Sequence, residues 1–203
     1  MLFFSSDPHF GHANIIRFCK RPYYDVESMN VDLVERWNSV VGDDDEVYLL
    51  GDVALGDLES SLEWVSMLNG TITMVPGNHD RCWQGKQKEG GGRELYEAAG
   101  LGVVDNPEPI MLANRRCLLG HFPYVGDKHD TDRFVQWRPK DRGEWLLHGH
   151  VHEKWRQRGR MINVGVDAWG GYPVSSDALT EIVGRGPQDL EALQWGSLDP
   201  HFS

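Results

Sequence analysis

Residues 1–12 read MLFFSSDPHFGH, an apolar run that passes directly into a cluster of polar side chains. The run Leu2 to Ser5 has the composition of a buried strand, and Asp7, His9 and His12 follow it closely. Alternate residues of an extended segment point to the same side, so Asp7 and His9 could offer an oxygen and a nitrogen to one cation. If this is a metal site, other strand ends must supply the remaining ligands.

Four more apolar runs end in the same way. Each is followed by a carboxylate, amide or imidazole side chain: Glu46 to Leu50 by Gly51-Asp52, Thr71 to Val75 by Gly77-Asn78-His79-Asp80, Cys117 to Leu119 by Gly120-His121, and Trp145 to Leu147 by His148-Gly149-His150-Val151-His152. Sheets of α/β proteins bind ligands at the carboxyl ends of their strands. The neighbouring glycines suit close backbone approach in a crowded site. The pattern therefore predicts one site assembled from several strand ends.

The remaining segments alternate between strand-like and helix-like patterns. Two further apolar runs, Met161 to Val164 and Leu179 to Val183, are predicted as strands. Helix-compatible spacing occurs in His12 to Cys19, Val31 to Val40, Leu58 to Leu68 and Arg93 to Ala99. This alternation predicts an α/β sandwich.

Several connecting segments are also predicted. Arg81 to Gly92 and Phe122 to Gly143 are long, polar and predicted to be functional loops. Arg156 to Arg160 is predicted as a hairpin turn between Trp145 to Lys154 and Met161 to Val164. In the tail, residues 185–203, the spacing of Leu190, Leu193 and Trp195 predicts a helical stripe.

Composition narrows the class of protein. The 203 residues suit one domain, residues 1–203, and 40% hydrophobic with 25% charged residues is ordinary for a globular protein. No apolar run approaches ~18 residues, and Asp7 interrupts the first one, so we expect neither a membrane span nor a signal peptide, and a cytoplasmic location. Cys19, Cys82 and Cys117 are too far apart for a thiolate zinc site and are expected to be reduced.

The formal net charge of −11 argues against binding a long nucleic acid, which needs many unopposed cations. It does not argue against small phosphate compounds, because bound divalent ions would cancel part of the negative charge.

In order and spacing, the strand-end residues resemble the signature blocks of the calcineurin-like metallophosphoesterases. The matching blocks are Asp7-X-His9, Gly51-Asp52, Gly77-Asn78-His79-Asp80, His121 and Gly149-His150-X-His152, which span residues 7–152. The longer stretches around them, residues 7–17 and 162–169, are similar to the small bacterial and phage phosphoesterases. The resemblance implies a four-layer αββα sandwich of two mixed β-sheets flanked by helices.

The resemblance also implies a site for two divalent metal ions. Asp7, His9 and His152 would hold the first ion, Asn78, His121 and His150 the second, and Asp52 would bridge them. Mixed imidazole and oxygen ligation suits Mn²⁺, Fe or Zn²⁺ better than Ca²⁺, and we favour manganese.

Other residues beside these blocks are assigned supporting roles. His79 is the candidate proton donor to the leaving alkoxide, with Asp80 orienting its imidazole. His12 and Arg17 are candidate substrate contacts, as are Arg21, Arg138 and Lys154 for phosphate, although each could equally be surface charge. His148 is expected to support the ligands through hydrogen bonds.

The predicted function is hydrolysis of a small phosphodiester by attack of a metal-bridging hydroxide. Protein phosphatases of this superfamily have an arginine after the bridging Asp block that clamps phosphate, whereas no arginine occurs in Gly51-Asp52-Val53-Ala54-Leu55-Gly56. Asp80 follows His79 where those enzymes have Glu. Both departures favour the phosphodiesterase branch, with 2′,3′ or 3′,5′ cyclic nucleotides as the leading substrates. A broad phosphomonoesterase, a nuclease and a non-catalytic binding scaffold remain as alternatives.

Overall fold

The computed structural model describes residues 1–89, 92–127 and 129–198, without the side chains of residues 87–89. Residues 90, 91 and 128 of the two predicted loops, and residues 199–203 of the predicted tail, lie outside the described residues. In chain order the elements are β1 (Leu2–Ser5), α1 (Ala13–Phe18), α2 (Val26–Val40), β2 (Glu46–Leu49), α3 (Leu58–Glu63), β3 (Thr71–Met74), α4 (Arg93–Ala98), β4 (Gly102–Val103), β5 (Ile110–Leu112), β6 (Arg115–Leu119), β7 (Trp145–His148), β8 (Gln157–Gly159), β9 (Met161–Asn163), β10 (Val174–Ser175), α5 (Ser176–Arg185) and β11 (Gln188–Leu190).

Two mixed sheets form the framework. The first has the strand order β10-β1-β2-β3-β4, and β1 to β4 run parallel while β10 is antiparallel. The second has the order β11-β8-β9-β7-β6-β5, in which β6, β7 and β9 run parallel. Strand β5 pairs antiparallel with β6, β8 with β9, and β11 with β8. The predicted α/β sandwich of two mixed sheets is confirmed.

Alternate residues of β1 enter different hydrophobic clusters. Phe3 packs in a cluster with side chains of α1 to α4, including Trp37 and Tyr96. Phe4 belongs to a second cluster that includes Leu147 and Ile162 of the second sheet. Successive strand side chains point to opposite faces, so β1 carries helices on one face and the other sheet on its opposite face.

Helix α5 corrects one predicted strand. Leu179 to Val183 is helical, and its buried residues Ala178, Leu179, Ile182 and Val183 lie on one face. The Ser175 hydroxyl caps the helix by accepting from the Ala178 backbone N–H at 3.2 Å. A short apolar run cannot by itself distinguish a strand from a buried helical turn, which is why the prediction was wrong.

The hairpin and the tail also differ from prediction. Strands β7 and β9 are parallel, and it is β8, inside the predicted turn, that pairs antiparallel with β9. The tail forms no helix over its predicted stripe, because Leu190 pairs with Gln157 in strand β11 and Leu193 bridges Trp169. Pairing with an open sheet edge provides backbone hydrogen bonds that override the weak helical spacing.

Helix length and cysteine pairing complete the description of the fold. None of the helices in the described part of the chain is long and apolar enough to cross a membrane. Within the described residues, no disulfide involves Cys19, Cys82 or Cys117.

Candidate metal centre

The polar residues predicted as ligands follow the carboxyl ends of parallel strands in both sheets. Asp7 and His9 follow β1, Asp52 follows β2, Asn78 follows β3, His121 follows β6, and His150 and His152 follow β7. Backbone contacts join these ends: the Asp7 N–H donates to the Gly51 carbonyl at 3.0 Å, and Ser6 bridges Gly165. All seven side chains are thereby placed at one edge of the sandwich, and all seven residues are buried.

Two compact groups of donor atoms lie within this edge. Asp7, His9 and His152 form one group, and Asp7, Asp52 and His121 form the other, each with its donor atoms within 4.8 Å of one another. Asp7 belongs to both groups. Asp52 also reaches both, since its Oδ2 is 3.7 Å from His9 Nε2 and 3.4 Å from His121 Nε2. The first group matches the residues proposed for the first ion, and Asp52 has the position that a bridging ligand needs.

The residues present fit a cation. Asp7 Oδ1 and both ring nitrogens of His9 are buried and have no hydrogen-bond partner among the described residues. Buried polar atoms are nearly always paired, and an orphaned carboxylate oxygen beside orphaned imidazole nitrogens needs an explanation. A divalent ion with mixed N and O ligation would satisfy both residues.

Asn78 and His150 are placed less closely. Asn78 Oδ1 lies 3.2 Å from His121 Nε2, so these two residues are adjacent. The His150 ring lies beside His121 with ring centroids 5.3 Å apart, but its Nε2 is 3.1 Å from Asp127 Oδ2. The structure therefore leaves Nδ1 as the nitrogen that His150 could offer to an ion.

The charges of the site are strongly coupled. Burial opposes ionisation of Asp52, but the charge and hydrogen bond of His121, together with the charges of His9 and His79, hold the Asp52 pKa well below its ordinary value. Burial would lower the pKa of His121, yet the charge of Asp52 raises it to about 9. In the absence of a cation the histidine protons partly neutralise the carboxylates, and a bound ion would displace them.

Five of the seven predicted ligands have a left-handed backbone conformation. Asp7, His9, Asp52, His150 and His152 all have φ in the left-handed region, at 57°, 54°, 55°, 72° and 50°. Such conformations are costly for residues with a Cβ and persist where the surrounding structure requires them. Gly149 lies very close to the first ligand turn, because a Cβ there would lie 1.9 Å from Ser6 Oγ and 2.3 Å from Asp7 Oδ2. The sharp turns point successive side chains into one small volume.

Arg21 and Asp167 support His152 from beneath the site. Arg21 Nε and Nη2 contact the Asp167 carboxylate at 2.8 and 2.9 Å, and Asp167 Oδ2 is 3.0 Å from His152 Nδ1. Arg21 also donates to the carbonyls of Pro8 and Asp7 at 2.7 and 2.8 Å. Arg21 is buried, so its prediction as a phosphate contact was wrong. Sequence reasoning assigned no role to Asp167, although it lies in the block that resembles the family.

Cys19 also lies near this support. Its thiol is close to His152 and Asp167, with the three donor atoms within 4.8 Å of one another. From the sequence, Cys19 was expected to be a reduced thiol without a role as a metal ligand.

Asp80 has a different role from the one predicted. Its buried carboxylate accepts from the backbone N–H groups of Gly77, Asp52 and Val53 at 2.7, 2.7 and 3.0 Å. None of its described hydrogen bonds goes to the His79 ring, so the prediction that Asp80 orients that imidazole was wrong. The Tyr96 hydroxyl is a fourth donor, at 3.4 Å from Asp80 Oδ1. The carboxylate thus uses its acceptor sites on these donors, and Asp80 connects the loops that carry Asp52 and Asn78.

His79 and His12 line the open side of the centre. The His79 side chain is 45% exposed, and its Nε2 is 4.0 Å from Asp52 Oδ2. The His12 ring lies against His9 with centroids 5.6 Å apart. Arg17 is not brought into this cleft, because it is exposed and its guanidinium lies 5.2 Å from the Phe18 ring centroid. His148 is buried, and its Nδ1 contacts the Gly149 carbonyl at 2.7 Å within the same ligand turn.

A cavity opens directly onto these histidines. Its volume is ≈ 330 Å³, and its walls are formed by α1, by the ligand turns and by the segment that follows His121. The lining residues are His9, His12, Ile15, Phe18, Asp52, Asn78, His79, His129, Arg133, His150 and His152. Small-molecule sites are typically concave spaces of this order of size.

The long segment 122–143 closes one side of the centre through Asp127. The buried Asp127 carboxylate contacts His150 Nε2 and accepts from Arg133 Nη2 at 3.0 Å and Arg138 Nη2 at 3.3 Å. Burial opposes its ionisation, but the hydrogen bonds from Arg133 and His150 lower its pKa. Sequence reasoning missed Asp127, because it lies in a segment without periodic pattern. It also proposed Arg138 as a phosphate contact, whereas the structure commits Arg138 to Asp127 and to the carbonyls of Pro123 and Gly126.

Comparison with known proteins identifies relatives over most of the chain. No family model matches it. The Gene 66 protein of Mycobacterium phage L5 is 34% identical over 199 residues, covering 89% of this chain and 92% of the relative. The Gene 66 protein of Mycobacterium phage D29 is 34% identical over 196 residues, covering 90% and 95%. This chain belongs to the family of the Gene 66 proteins. The uncharacterized protein MJ1445 of Methanocaldococcus jannaschii is 32% identical over 198 residues, covering 91% and 92%.

Solved structures extend the comparison. The crystal structure of AQ665, a protein of unknown function from Aquifex aeolicus, matches with a TM-score of 0.64 and 25% identity, covering 90% of this chain and 98% of that one. Phosphopantetheinyl hydrolase from Mycobacterium tuberculosis matches with a TM-score of 0.29 and 18% identity over 67% of this chain and 48% of that one, below the level at which two chains share a fold. The names of the Gene 66 relatives state no activity.

Proposed function

We propose that this protein is a binuclear metal-dependent phosphodiesterase that acts on small phosphodiesters, with 2′,3′ or 3′,5′ cyclic nucleotides as the leading substrate class. The observation that carries the proposal is the buried donor set at the strand ends, in which Asp7 belongs to two groups of donor atoms, Asp52 Oδ2 is close to a histidine of each, and Asp7 and His9 have orphaned atoms. The resemblance to calcineurin-like metallophosphoesterases supports the same assignment.

The proposed metal ligands are the seven buried residues. One ion would be held by Asp7, His9 and His152, and the other by Asn78, His121 and His150. Asp52 would bind both ions, and we favour manganese as the metal. Two such ions would lower the pKa of a water and neutralise charge on the phosphoryl oxygens. Asp80 fixes the loops of Asp52 and Asn78, and Arg21 with Asp167 fixes His152, so that the ligands are preorganised by the chain itself.

His79 is the proposed proton donor to the leaving alkoxide. It lines the cavity, is partly exposed, and its Nε2 is close to the central carboxylate of Asp52. His12 is the proposed substrate contact, and Ile15 and Phe18 of the same cavity add apolar surface. A general acid must be within reach of the departing oxygen, and a cavity lined by both histidines provides this for a small ester.

Hydrolysis of two chromogenic esters tests the proposal. The purified protein with added Mn²⁺ should hydrolyse bis-p-nitrophenyl phosphate faster than p-nitrophenyl phosphate, and should lose this activity in the Asp52→Asn variant. A preference for the monoester would favour the phosphomonoesterase alternative, and activity on neither would favour a binding scaffold. A panel of 2′,3′ and 3′,5′ cyclic nucleotides then distinguishes the two isomer classes.

A further inference from the structure

The segment 122–143 contributes a cationic wall to the cavity. His129 and Arg133 come from this segment, and they line the same space as His12 and His79 from the other parts of the chain. Among the described residues that line the cavity, Arg133 is the one arginine or lysine. The cavity therefore has a permanent positive charge at a defined place in its wall.

The other arginines near the centre are already committed. Arg21 is buried against Asp167, and Arg138 donates to Asp127 and to backbone carbonyls. Arg17 is exposed and does not line the cavity. The segment directly after Asp52 offers Val53 and Ala54, which are both buried and apolar. Within the described chain, Arg133 is thus the arginine that faces the cavity.

Asp127 holds Arg133 in a defined orientation. Arg133 Nε and Nη2 contact Asp127 Oδ1 at 3.2 and 3.0 Å, and the Arg133 backbone N–H donates to Asp127 Oδ2 at 3.1 Å. The guanidinium carbon lies 5.4 Å from the Phe134 ring centroid, on the neighbouring residue. An arginine fixed along one edge has lost much of its rotamer freedom before any ligand binds.

The opposite edge of the same guanidinium is available. The Asp127 side chain is fully buried, whereas that of Arg133 is 42% exposed. Arg133 Nη1 has no hydrogen-bond partner among the described residues. Guanidinium groups bind phosphate oxygens through charge-assisted hydrogen bonds, and a preorganised donor that lines the same cavity as Asp52 and the histidines suits such a ligand.

We infer that Arg133 binds an anionic phosphate oxygen of the substrate, and that Asp127 is the positioning residue that directs it. The inference rests on the proposed function and deepens it, because it names the residue that recognises the phosphate group beside the metal centre. Arg133 takes no part in proton transfer or bond cleavage. Its contribution is affinity and orientation for the phosphate.

Binding of inorganic phosphate provides a readout that is independent of hydrolysis. Titration calorimetry of the manganese-loaded protein should give a dissociation constant that rises about 10- to 100-fold in Arg133→Met, the loss of one charge-assisted contact. Arg133→Lys keeps the charge without the fork and should fall between the two. Arg142→Met, which removes an exposed arginine of the same segment, should match the wild type. For bis-p-nitrophenyl phosphate, Arg133→Met should raise KM more than it lowers kcat.

Two results would overturn the inference. One is phosphate binding in Arg133→Met, with circular dichroism and manganese content intact, that equals the wild type; the other is no measurable phosphate binding by the wild type. If Arg133→Met loses manganese, the phosphate affinity of Arg133→Lys decides instead. A phosphate affinity of Arg133→Lys equal to that of the wild type would then contradict the inference. Wild-type protein that binds phosphate in an Arg133-dependent manner but hydrolyses no ester would reject the proposed function and support this inference.

Discussion

Asp52 has the most central position of any side chain in the candidate centre. Its Oδ2 faces His9, His79 and His121, and its Oδ1 accepts from the His79 backbone N–H at 2.8 Å. Its left-handed φ of 55° is fixed by a turn that Asp80 stabilises from below. Because one carboxylate faces both groups of ligands, its loss should affect both ions together.

The Asp52→Asn variant should reduce manganese content from about two ions per chain to less than one, since a bridging ligand serves both ions of a binuclear site. Elemental analysis after gel filtration measures this. Asp57→Asn, an exposed helix-cap change in the same region of the chain, serves as the matched control. Retention of both ions with full diesterase activity in Asp52→Asn would contradict the proposed ligand set.

His79 is the partly exposed imidazole next to this carboxylate, and we expect it to donate a proton and not to hold a metal. His79→Ala should keep its metal content but lose about 10²- to 10⁴-fold in kcat/KM on a cyclic nucleotide, whose ribose alkoxide leaves poorly without a proton. The loss should be much smaller on bis-p-nitrophenyl phosphate. Equal losses on both substrates would show that His79 stabilises phosphoryl charge instead.

The segment 122–143 is the element that the centre depends on most. Phe122 packs between His121 and His150, with ring centroids 4.9 and 5.0 Å away, and Phe134 lies 5.8 Å from His150. Tyr124 is buried and donates to the Glu144 carbonyl, so it anchors the segment and is not available for stacking on a substrate. The segment thus forms one wall of the cavity and also fixes a candidate ligand through Asp127.

Asp127→Asn should weaken binding of one of the two manganese ions about 10- to 100-fold, the usual effect of losing a partner that orients a ligating histidine. Calorimetric titration of metal-free protein measures this, and Asp127→Glu should restore part of the affinity. Asp132→Asn, the same change of charge in the same segment, is the control, because Asp132 contacts the Gly126 backbone and not His150. Identical metal affinities in Asp127→Asn and Asp132→Asn would exclude the positioning role.

In the molecule as a whole, the ion pair of Arg21 and Asp167 connects the start of the chain to the segment after β9. These residues are 146 positions apart, and both side chains are almost fully buried. Breaking such a pair leaves an uncompensated buried charge, which is more damaging than replacing both partners.

Arg21→Met should therefore lower the free energy of unfolding by about 3 to 5 kcal/mol. Urea denaturation of the metal-free protein, followed by tryptophan fluorescence, measures the change without a contribution from bound ions. Combining Arg21→Met with Asp167→Asn should recover part of the loss, because no buried charge then remains unpaired. A single variant as stable as the wild type would show that water compensates Asp167.

Most of the fold and the ligand set could be predicted from local patterns in the sequence. A buried strand shows as an apolar run, and a residue such as Asp52 or His121 stands out because a polar side chain follows that run directly. Parallel strands then bring their carboxyl ends to the same edge without further information. Strands and the polar residues at their ends depend on neighbours in the chain, so the order of residues is enough to predict them.

The supports of the centre depended on contacts between distant segments. Asp127, Arg21 and Asp167 belong to no periodic pattern, and their roles follow from partners 15 to 146 positions away. Asp80 was assigned to His79 because the two are adjacent in sequence, but its carboxylate is directed at backbone N–H groups of another loop. Strand β11 and helix α5 likewise follow from an available sheet edge and a buried face. Packing in three dimensions decides such contacts, because side-chain direction and long-range pairing have no signature in local sequence.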